Sequence, residues 1–284
     1  MDFRVLSEND FDIVHTAFVK AFSDYAIKID MPREKLYEML KRRGVVYSLS
    51  AGCFEGRELV GFILNGVDII NGEMTAYDTG TGVIPEFRGK KITGRIFDFL
   101  IPKMKKNGIK KYVLEVLKEN EKAFNIYTQK GFQVSRGFNC YRVAKEDYSS
   151  AKKLKDTDLR VEKLSYINWR EFRSFWDVQP SWQNSESSVN RSEDKKAFLG
   201  VYKKQELMAY AVLYPSTGDL AQLAVKKNFR GNGAGTLLLK ACLAVSDKPL
   251  SILNVEDSDK DINGFLNSFG CKLFTMQHEL IKKI

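Results

Sequence analysis

Apolar residues along the first half of the chain follow two different patterns. In residues 10–22 and 32–42 they recur every three or four positions, which indicates helices with one buried face. Between residues 45 and 83 they form three strand-like segments separated by short turns. The full pattern predicts strands at 3–6, 45–55, 58–68, 74–83, 111–117 and 137–143, and helices at 10–22, 32–42, 88–106 and 121–129.

The order of these elements predicts a mixed sheet. Consecutive strands joined by tight turns pair antiparallel, whereas a crossover helix joins parallel neighbours. We therefore expect an α/β (α+β) fold in which a mixed, mostly antiparallel sheet is flanked by helices.

The second half of the chain repeats this order. Its predicted strands are 160–164, 197–202, 206–214, 220–225, 251–255 and 273–280, and its helices are 166–176, 233–245 and 260–269. A polar segment rich in Lys, Ser and Asp, from Glu146 to Asp158, separates the halves and is typical of a linker. The 284 residues therefore predict two domains, at 1–147 and 158–284.

One local motif occurs in both halves. Val83 ends a predicted strand and is followed five residues later by Arg88-Gly89 and then a helix; Val225 and Arg230-Gly231 repeat this arrangement. A strand that turns directly into a helix leaves several backbone N–H groups unpaired at the positive end of the helix dipole. Glycines allow a tight turn and a close approach by a ligand. The motif predicts an anion site of the kind that binds phosphate.

The second copy, Arg230-x-x-Gly233-x-Gly235, resembles the Q/R-x-x-G-x-G/A signature of the GNAT N-acetyltransferase superfamily, in which this loop holds the pyrophosphate of acetyl-coenzyme A. The first copy departs from the signature, with Lys91 and Thr93 at its two glycine positions. The resemblance implies cofactor contacts at Val83, Ile84, Arg88, Gly89, Lys90, Lys91, Ile92 and Thr93, and at Val225, Arg230, Gly231, Asn232, Gly233, Ala234 and Gly235.

The helix after the next strand extends the resemblance. Asn120, Ala123 and Tyr127 match the family segment N-x-x-A-x-x-x-Y, which implies that Asn120 and Ala123 adjoin the pantetheine arm and that Tyr127 protonates the departing thiolate. The second half has Asp259, Ile262 and Leu266 at these positions. Leucine cannot donate a proton. The second half therefore matches the loop signature more closely but lacks the expected proton donor.

The general base is less defined than the acid. Asp78 and Glu115 are the candidates in the first half, and Asp78 precedes a Gly-rich strand end that predicts a β-bulge. Family members with a carboxylate on this strand place it at a position that is Tyr77 in the first half and Asp219 in the second. A water relay is the alternative to all of these carboxylates.

Composition limits the compartment and the partners. The N-terminal residues lack the apolar region of a signal peptide, no apolar run approaches membrane-span length, and four scattered cysteines indicate reduced thiols. These features predict a cytoplasmic protein that is not held in a membrane. The net charge of +9 suits a phosphate-rich ligand, and the basic segment 103–111 lacks the interleaved aromatic residues of a nucleic-acid site. His15 and His278 stand alone in the sequence, so we expect no metal.

The sequence therefore predicts an acetyl-coenzyme A-dependent N-acetyltransferase with transfer in the first domain, on a small-molecule or peptide amine. A rival interpretation places catalysis in the second half, where the long loop with Trp182, Gln183 and Asn184 would line an acceptor pocket. A third is a coenzyme A-binding sensor without turnover. The sequence identifies neither the acceptor nor the oligomeric state.

Overall fold

The computed structural model describes residues 1–24, 31–148 and 158–284. The chain forms two compact units: unit 1 contains residues 1–135, 190–193 and 278–284, and unit 2 contains residues 136–189 and 194–277. Each unit thus includes a segment from the other half of the sequence. The predicted domain bounds follow the sequence repeat and stay a prediction. Most of the expected linker, residues 149–157, lies outside the described residues.

Five strands of unit 1 pair in the order β1-β2-β3-β4-β5. Neighbouring strands pair antiparallel, except for β4 and β5, which are parallel. The elements are β1 Asp2–Val5, α1 Phe11–Ala21, α2 Arg33–Arg42, β2 Ala51–Glu55, β3 Glu58–Ile70, β4 Glu73–Val83, α3 Ile92–Lys106, β5 Lys111–Leu117 and α4 Glu121–Gln129.

Unit 2 repeats this architecture with the order β7-β8-β9-β10-β11-β6, in which β10 and β11 form the parallel pair. The mixed, mostly antiparallel sheets flanked by helices confirm the predicted fold class. The elements are β6 Gln133–Val143, β7 Leu159–Lys163, α5 Trp169–Arg173, α6 Glu186–Arg191, β8 Ala197–Lys203, β9 Glu206–Tyr214, β10 Asp219–Val225, α7 Ala234–Val245, β11 Leu250–Glu256, α8 Lys260–Phe269 and β12 Lys272–Lys283; β6, α6 and β12 have residues in both units.

Two predicted elements are markedly shorter in the structure, and one short helix was not predicted. The strand expected at 45–55 begins only at Ala51, because Ser50 and Asn65 side chains bond the backbone of a preceding 3₁₀ turn in place of a strand ladder. The helix expected at 166–176 is confined to Trp169–Arg173. Helix α6 lies within the predicted long loop and was missed, since six residues are too few to show a helical period.

Each unit has its own apolar core. In unit 1, Ile96, Phe97 and Leu100 of α3 are fully buried at the spacing of one helix face. Leu238, Leu239 and Cys242 of α7 do the same in unit 2. Among the described residues, no helix combines the length and apolar character needed to cross a bilayer.

The parallel strands part soon after they pair, and this positions the site in both units. In the described chain, Thr75–Tyr77 of β4 pair with Lys111–Val113 of β5, and Asp219 of β10 pairs with Ser251 of β11. All four strands then continue without that pairing. The ladder on the other side of β4 shifts register at Thr79, and that of β10 shifts at the matching Ala221, so the predicted β-bulge is confirmed and occurs twice.

Candidate functional site

The loop that follows β4 takes the same path as the loop that follows β10. A 3₁₀ turn leads to Arg88 or Arg230, the next glycine has positive φ (79° at Gly89, 76° at Gly231), and a left-handed residue caps the helix. That residue is Lys91 in unit 1 (φ 58°) and Gly233 in unit 2 (φ 95°). The left-handed conformation explains the signature glycine; Lys91 adopts it at a cost of about 1–2 kcal/mol.

Both loops leave a row of backbone donors without acceptors. Within the described chain, the N–H groups of residues 89–94 and of residues 231–236 have no main-chain partner. They lie at the N-termini of α3 and α7, where the helix dipole adds positive potential. A Cβ placed on Gly89 or Gly231 would meet no atom within 4 Å, so the loops are open on that side. Such loops fit a diphosphate group.

The signature arginines bond to the protein itself. The Nε of Arg88 donates to the Val83 carbonyl at 3.2 Å, and the Nε of Arg230 donates to the Val225 carbonyl at the same distance. The neighbouring polar residue Asn232 also folds back, donating to the Phe229 carbonyl at 3.2 Å. These side chains therefore have partners within the protein, and the backbone N–H groups of the loops are the donors left open to an anion.

The strand ends offer one backbone donor in each unit. The Ile84 N–H donates to the Val60 carbonyl at 3.0 Å, and the Lys226 N–H donates to the Met208 carbonyl at 2.8 Å, so these two groups are already bonded. Because N–H groups alternate between the two edges of an antiparallel strand, the Val83 and Val225 groups face the opening beside β5 and β11.

The two helices that follow the openings, α4 and α8, begin with the same kind of cap. The Asn120 side chain accepts from the Ala123 N–H at 3.2 Å, and the Asp259 carboxylate accepts from the Ile262 N–H at 3.1 Å. One side of each helix faces its core. Tyr127 is 7% exposed and contacts the rings of Phe97 and Phe132, whereas the matching residue of α8, Leu266, is 1% exposed.

Asp78 lies in a buried polar environment at the bulge of β4. The Thr81 hydroxyl donates to its Oδ2 at 2.6 Å, while Oδ1 is buried with no hydrogen-bond partner among the described residues. Burial raises the pKa of Asp78 to about 7, against the opposing effect of the Thr81 hydrogen bond. This is the range expected of a general base at neutral pH.

Three more polar side chains accompany Asp78. The Tyr112 hydroxyl donates to Asn65 Oδ1 at 2.6 Å, and both side chains are fully buried. Asn65 lies opposite Asp78 in the ladder between β3 and β4, and the rings of Tyr112 and Tyr127 both contact those of Phe97 and Phe132. Burial raises the pKa of Tyr112 well above its usual value, and the charges of Asp78 and Tyr127 raise it further. We call Asn65, Asp78, Tyr112 and Tyr127 the polar quartet.

Leucine occupies every matching position in unit 2. Three features align the sequence positions of the two units. They are the residue pairs opposite each bulge, the register of the parallel strands, and the glycines that end α4 and α8, Gly131 and Gly270. All four leucines are at most 2% exposed. They are Leu213 for Asn65, Leu220 for Asp78, Leu250 for Tyr112 and Leu266 for Tyr127.

The other predicted carboxylates have different surroundings. Glu115 is half-buried and hydrogen-bonds to Tyr77, whose pKa is raised well above its usual value by burial first and by Glu115 second. Its counterpart in unit 2 is Leu253. Asp219 lies at the start of β10, opposite Tyr214. The structure thus brings Asp78 and Tyr127 into one cluster and gives Glu115 a separate partner.

Unit 2 contains a cavity of about 1070 Å³ at the parting of β10 and β11. Gly231 and Gly233 line its loop end, and Leu220, Ile262 and Leu266 line its apolar wall. Of the expected acceptor-loop residues, Asn184 lines the cavity, while Trp182 and Gln183 are buried. The cavity therefore contains the predicted cofactor loop of the second half.

Sequence reasoning missed the polar side of this cavity. The Trp176 indole donates to the Tyr210 hydroxyl, which donates to Gln222 Oε1 at 2.7 Å. Gln222 in turn donates to the Asn184 carbonyl at 2.7 Å. These bonds fasten the 176–184 segment to β9 and β10. They join residues from three distant segments, so no local signal in the sequence could have grouped them.

The two histidines have separate environments. His15 Nε2 is 2.9 Å from the Met31 carbonyl oxygen, and the His278 ring packs 5.5 Å from the Phe124 ring. The described residues contain no group of His, Cys, Asp and Glu side chains that could hold a metal ion. The expected absence of a metal stays a prediction.

Comparison with known structures places this fold among acetyltransferases. The chain is similar to a tandem GNAT protein from the clavulanic acid biosynthesis pathway (TM-score 0.73, 12% identity, 99% of this chain and 98% of that one). It is similar to a GCN5-related N-acetyltransferase from Sphaerobacter thermophilus (TM-score 0.73, 11% identity, 99% and 95%). Another GCN5-related N-acetyltransferase, from Kribbella flavida, has a TM-score of 0.58 at 12% identity, with 99% and 70% covered. At these identities the likeness concerns the fold.

Sequence comparison identifies the family. No curated protein sequence matches this chain significantly. The model of the acetyltransferase (GNAT) family matches twice, at residues 12–132 and 161–270, and so spans most of both repeats. The chain belongs to the GNAT acetyltransferase family.

Proposed function

We propose that this protein is an acetyl-coenzyme A-dependent N-acetyltransferase in which transfer takes place in unit 1. The observation that carries this proposal is the polar quartet, whose positions are all leucine in unit 2. The two units have the same strand order, bulge and loop. They differ at the buried positions beside the opening. In unit 1 these positions include groups that can move a proton, and in unit 2 they hold leucines.

Comparing the two units distinguishes side chains that the fold requires from side chains that serve another purpose. Burying a carboxyl or hydroxyl group costs free energy that hydrogen bonds restore only in part. The four leucines show that this fold packs these positions without polar groups. Asp78, with an unpartnered buried oxygen and a pKa of about 7, is therefore a liability for stability in unit 1. Retaining it favours a catalytic role.

Backbone and side-chain groups of unit 1 suit acetyl-coenzyme A, which supplies the activated acetyl group. The N–H groups of residues 89–94 would hold its diphosphate, with Lys90 and Lys91 adding positive charge. The pantetheine arm would run along the opening between β4 and β5, past Asn120 and Ala123. The Val83 N–H would donate to the thioester oxygen and stabilise negative charge there.

Two side chains would move the protons. Asp78, as the carboxylate, takes a proton from the acceptor amine as nitrogen bonds to the acetyl carbon. When the carbon–sulfur bond breaks, the Tyr127 hydroxyl gives its proton to the departing sulfur. The products are the amide and the thiol of coenzyme A; Asp78 then releases its proton to solvent and Tyr127 takes one up, so both side chains return to their starting states. Glu115 remains a second candidate base. Its carboxylate hydrogen-bonds to Tyr77, the residue directly before Asp78 in β4.

We propose that unit 2 binds coenzyme A without transferring acetyl groups. Its cavity, its loop donors and the left-handed Gly233 cap support binding, whereas Leu220 and Leu266 leave no proton-moving side chain at the matching positions. The acceptor is a small-molecule or peptide amine. The four buried free cysteines favour a reducing compartment, the cytoplasm.

Replacing Tyr127 by Phe tests the proton donor. We expect kcat to fall by about 10²-fold while the KM for acetyl-coenzyme A changes less than about twofold, because the ring still packs against Phe97 and Phe132. Thiol release would be followed with the best acceptor from a panel of primary amines. Tyr141→Phe, which removes a buried hydroxyl bonded to Asn263, is the matched control in unit 2. An unchanged kcat for Tyr127→Phe would rule out this acid.

The pKa of Asp78 predicts an unusual pH dependence of stability. The folded protein keeps the Asp78 proton up to a pH of about 7, whereas the unfolded chain loses it near 4. The free energy of unfolding should therefore fall as pH rises through this window, by on the order of 4 kcal/mol. Urea unfolding of Asp78→Asn should lack this fall, and exposed Asp12→Asn should keep it. Parallel profiles for wild type and Asp78→Asn would contradict the assignment.

Tryptophan fluorescence reports coenzyme A binding in unit 2, because Trp169, Trp176 and Trp182 all belong to it and Trp176 lines the cavity. We expect a saturable change on titration with coenzyme A. Gly233→Asp should weaken this binding at least about tenfold, since a carboxylate would face the diphosphate. Lys91→Asp, its counterpart in unit 1, should leave the signal unchanged. Calorimetric binding without any response from the tryptophans would place coenzyme A elsewhere.

A further inference from the structure

The signature arginine makes a second backbone contact that is repeated in the two units. Besides the strand-end carbonyl, Arg88 Nη2 donates to the carbonyl of Ala21, the last residue of α1, at 2.9 Å. Arg230 Nη2 donates to the carbonyl of Phe175, just after α5, at 3.2 Å. Each guanidinium therefore joins the cofactor loop to a strand end and to the segment that leaves the first helix of its repeat.

An aspartate on that segment completes the arrangement. Asp24 accepts from both terminal nitrogens of Arg88, at 2.5 and 2.9 Å. Asp177 lies 2.6 Å from Arg230 Nη1 and 3.1 Å from Lys227 Nζ. A planar guanidinium held by a carboxylate has a fixed orientation, which a lysine or an unpaired arginine would lack.

The ionisation of the two aspartates agrees with this pairing. The Arg88 hydrogen bonds lower the pKa of Asp24 below its usual value. Partial burial alone would raise the pKa of Asp177, but the hydrogen bonds from Arg230 and Lys227 lower it overall. Both carboxylates therefore stay charged at neutral pH.

We propose that Asp24 and Asp177 are positioning residues for the cofactor loops. Each orients its arginine, and the arginine holds the loop so that its backbone N–H groups converge on the diphosphate. Asp177 lines the unit 2 cavity, where Arg230 and Lys227 hold its carboxylate. The inference rests on the proposed function, in which these loops bind the diphosphate of coenzyme A.

The test compares two ligands that share one arm. Coenzyme A contains the diphosphate, and pantetheine does not. We expect Asp177→Asn to weaken coenzyme A binding in unit 2 about fivefold, measured by tryptophan fluorescence, and to change pantetheine binding less than twofold. A purely structural loss would weaken both ligands alike, so the ratio of the two affinities isolates loop positioning.

Matched variants control for charge and stability. Glu162→Gln removes the carboxylate of a surface ion pair with Arg160 in the same unit and should leave both affinities unchanged. Asp177→Glu, which keeps the charge, should recover part of the loss. In unit 1, Asp24→Asn should raise the KM for acetyl-coenzyme A about fivefold with kcat within twofold. The same variant should leave the tryptophan-detected affinity unchanged.

The outcomes separate this inference from the function on which it rests. Failure of the wild-type protein to bind coenzyme A would overturn both. If wild type binds but Asp177→Asn changes both ligands equally, or neither, the positioning role is wrong and the proposed function stands. Tighter coenzyme A binding by Asp177→Asn would also contradict it, because the freed guanidinium would then contact the phosphates directly.

Discussion

The parting of two parallel strands is the constraint on which the rest of each unit depends. Strands β4 and β5 pair over three residues, and β10 and β11 pair at a single position, before each pair opens. A bulge in β4 at Thr79, and in β10 at Ala221, shifts the register of the ladder on the other side of the strand. The opening exposes strand-edge N–H groups and leads to the N-terminus of the next helix. A ligand with a diphosphate and an extended arm finds complementary backbone groups along this path.

The side chains around the opening then decide what each unit does. In unit 1 the buried positions hold an amide, a carboxyl and two phenols, and in unit 2 they hold leucines. Conversely, the bonded pair Tyr210–Gln222 of unit 2 corresponds to Phe62 and Gly80 in unit 1. The two units therefore share a backbone arrangement, but positions that hold polar side chains in one unit hold apolar residues or glycine in the other. Under the proposed function, this difference would give proton transfer to unit 1 and ligand binding alone to unit 2.

Local features of this protein were predictable from sequence. The strand–Arg-Gly–helix loops and the bulge after Asp78 depend on a few consecutive residues whose backbone preferences can be read directly. The substitution of Leu266 for Tyr127 was also visible, because both follow a recognisable helix.

Features built from distant segments were not predictable. Asp24 and Arg88 are 64 positions apart, and Asn65 and Tyr112 are 47 apart, so their contacts depend on the assembled sheet. The same holds for Ile84, which the family resemblance placed among the cofactor contacts and whose N–H is bonded to the Val60 carbonyl. Strand register decides which edge an N–H faces, and a single sequence gives register only loosely.

The most direct test of the central claim is the rate of acetyl transfer by a variant that carries the four leucines of unit 2 in unit 1: Asn65→Leu, Asp78→Leu, Tyr112→Leu and Tyr127→Leu. If the polar quartet serves chemistry, this variant still folds, although losing the Asn65–Leu49 hydrogen bond and the ring contacts of Tyr112 and Tyr127 lowers its unfolding free energy. It still binds coenzyme A, and transfers acetyl at least about 10³-fold more slowly. Transfer within about tenfold of the wild-type rate, or failure of the variant to fold, would contradict the account.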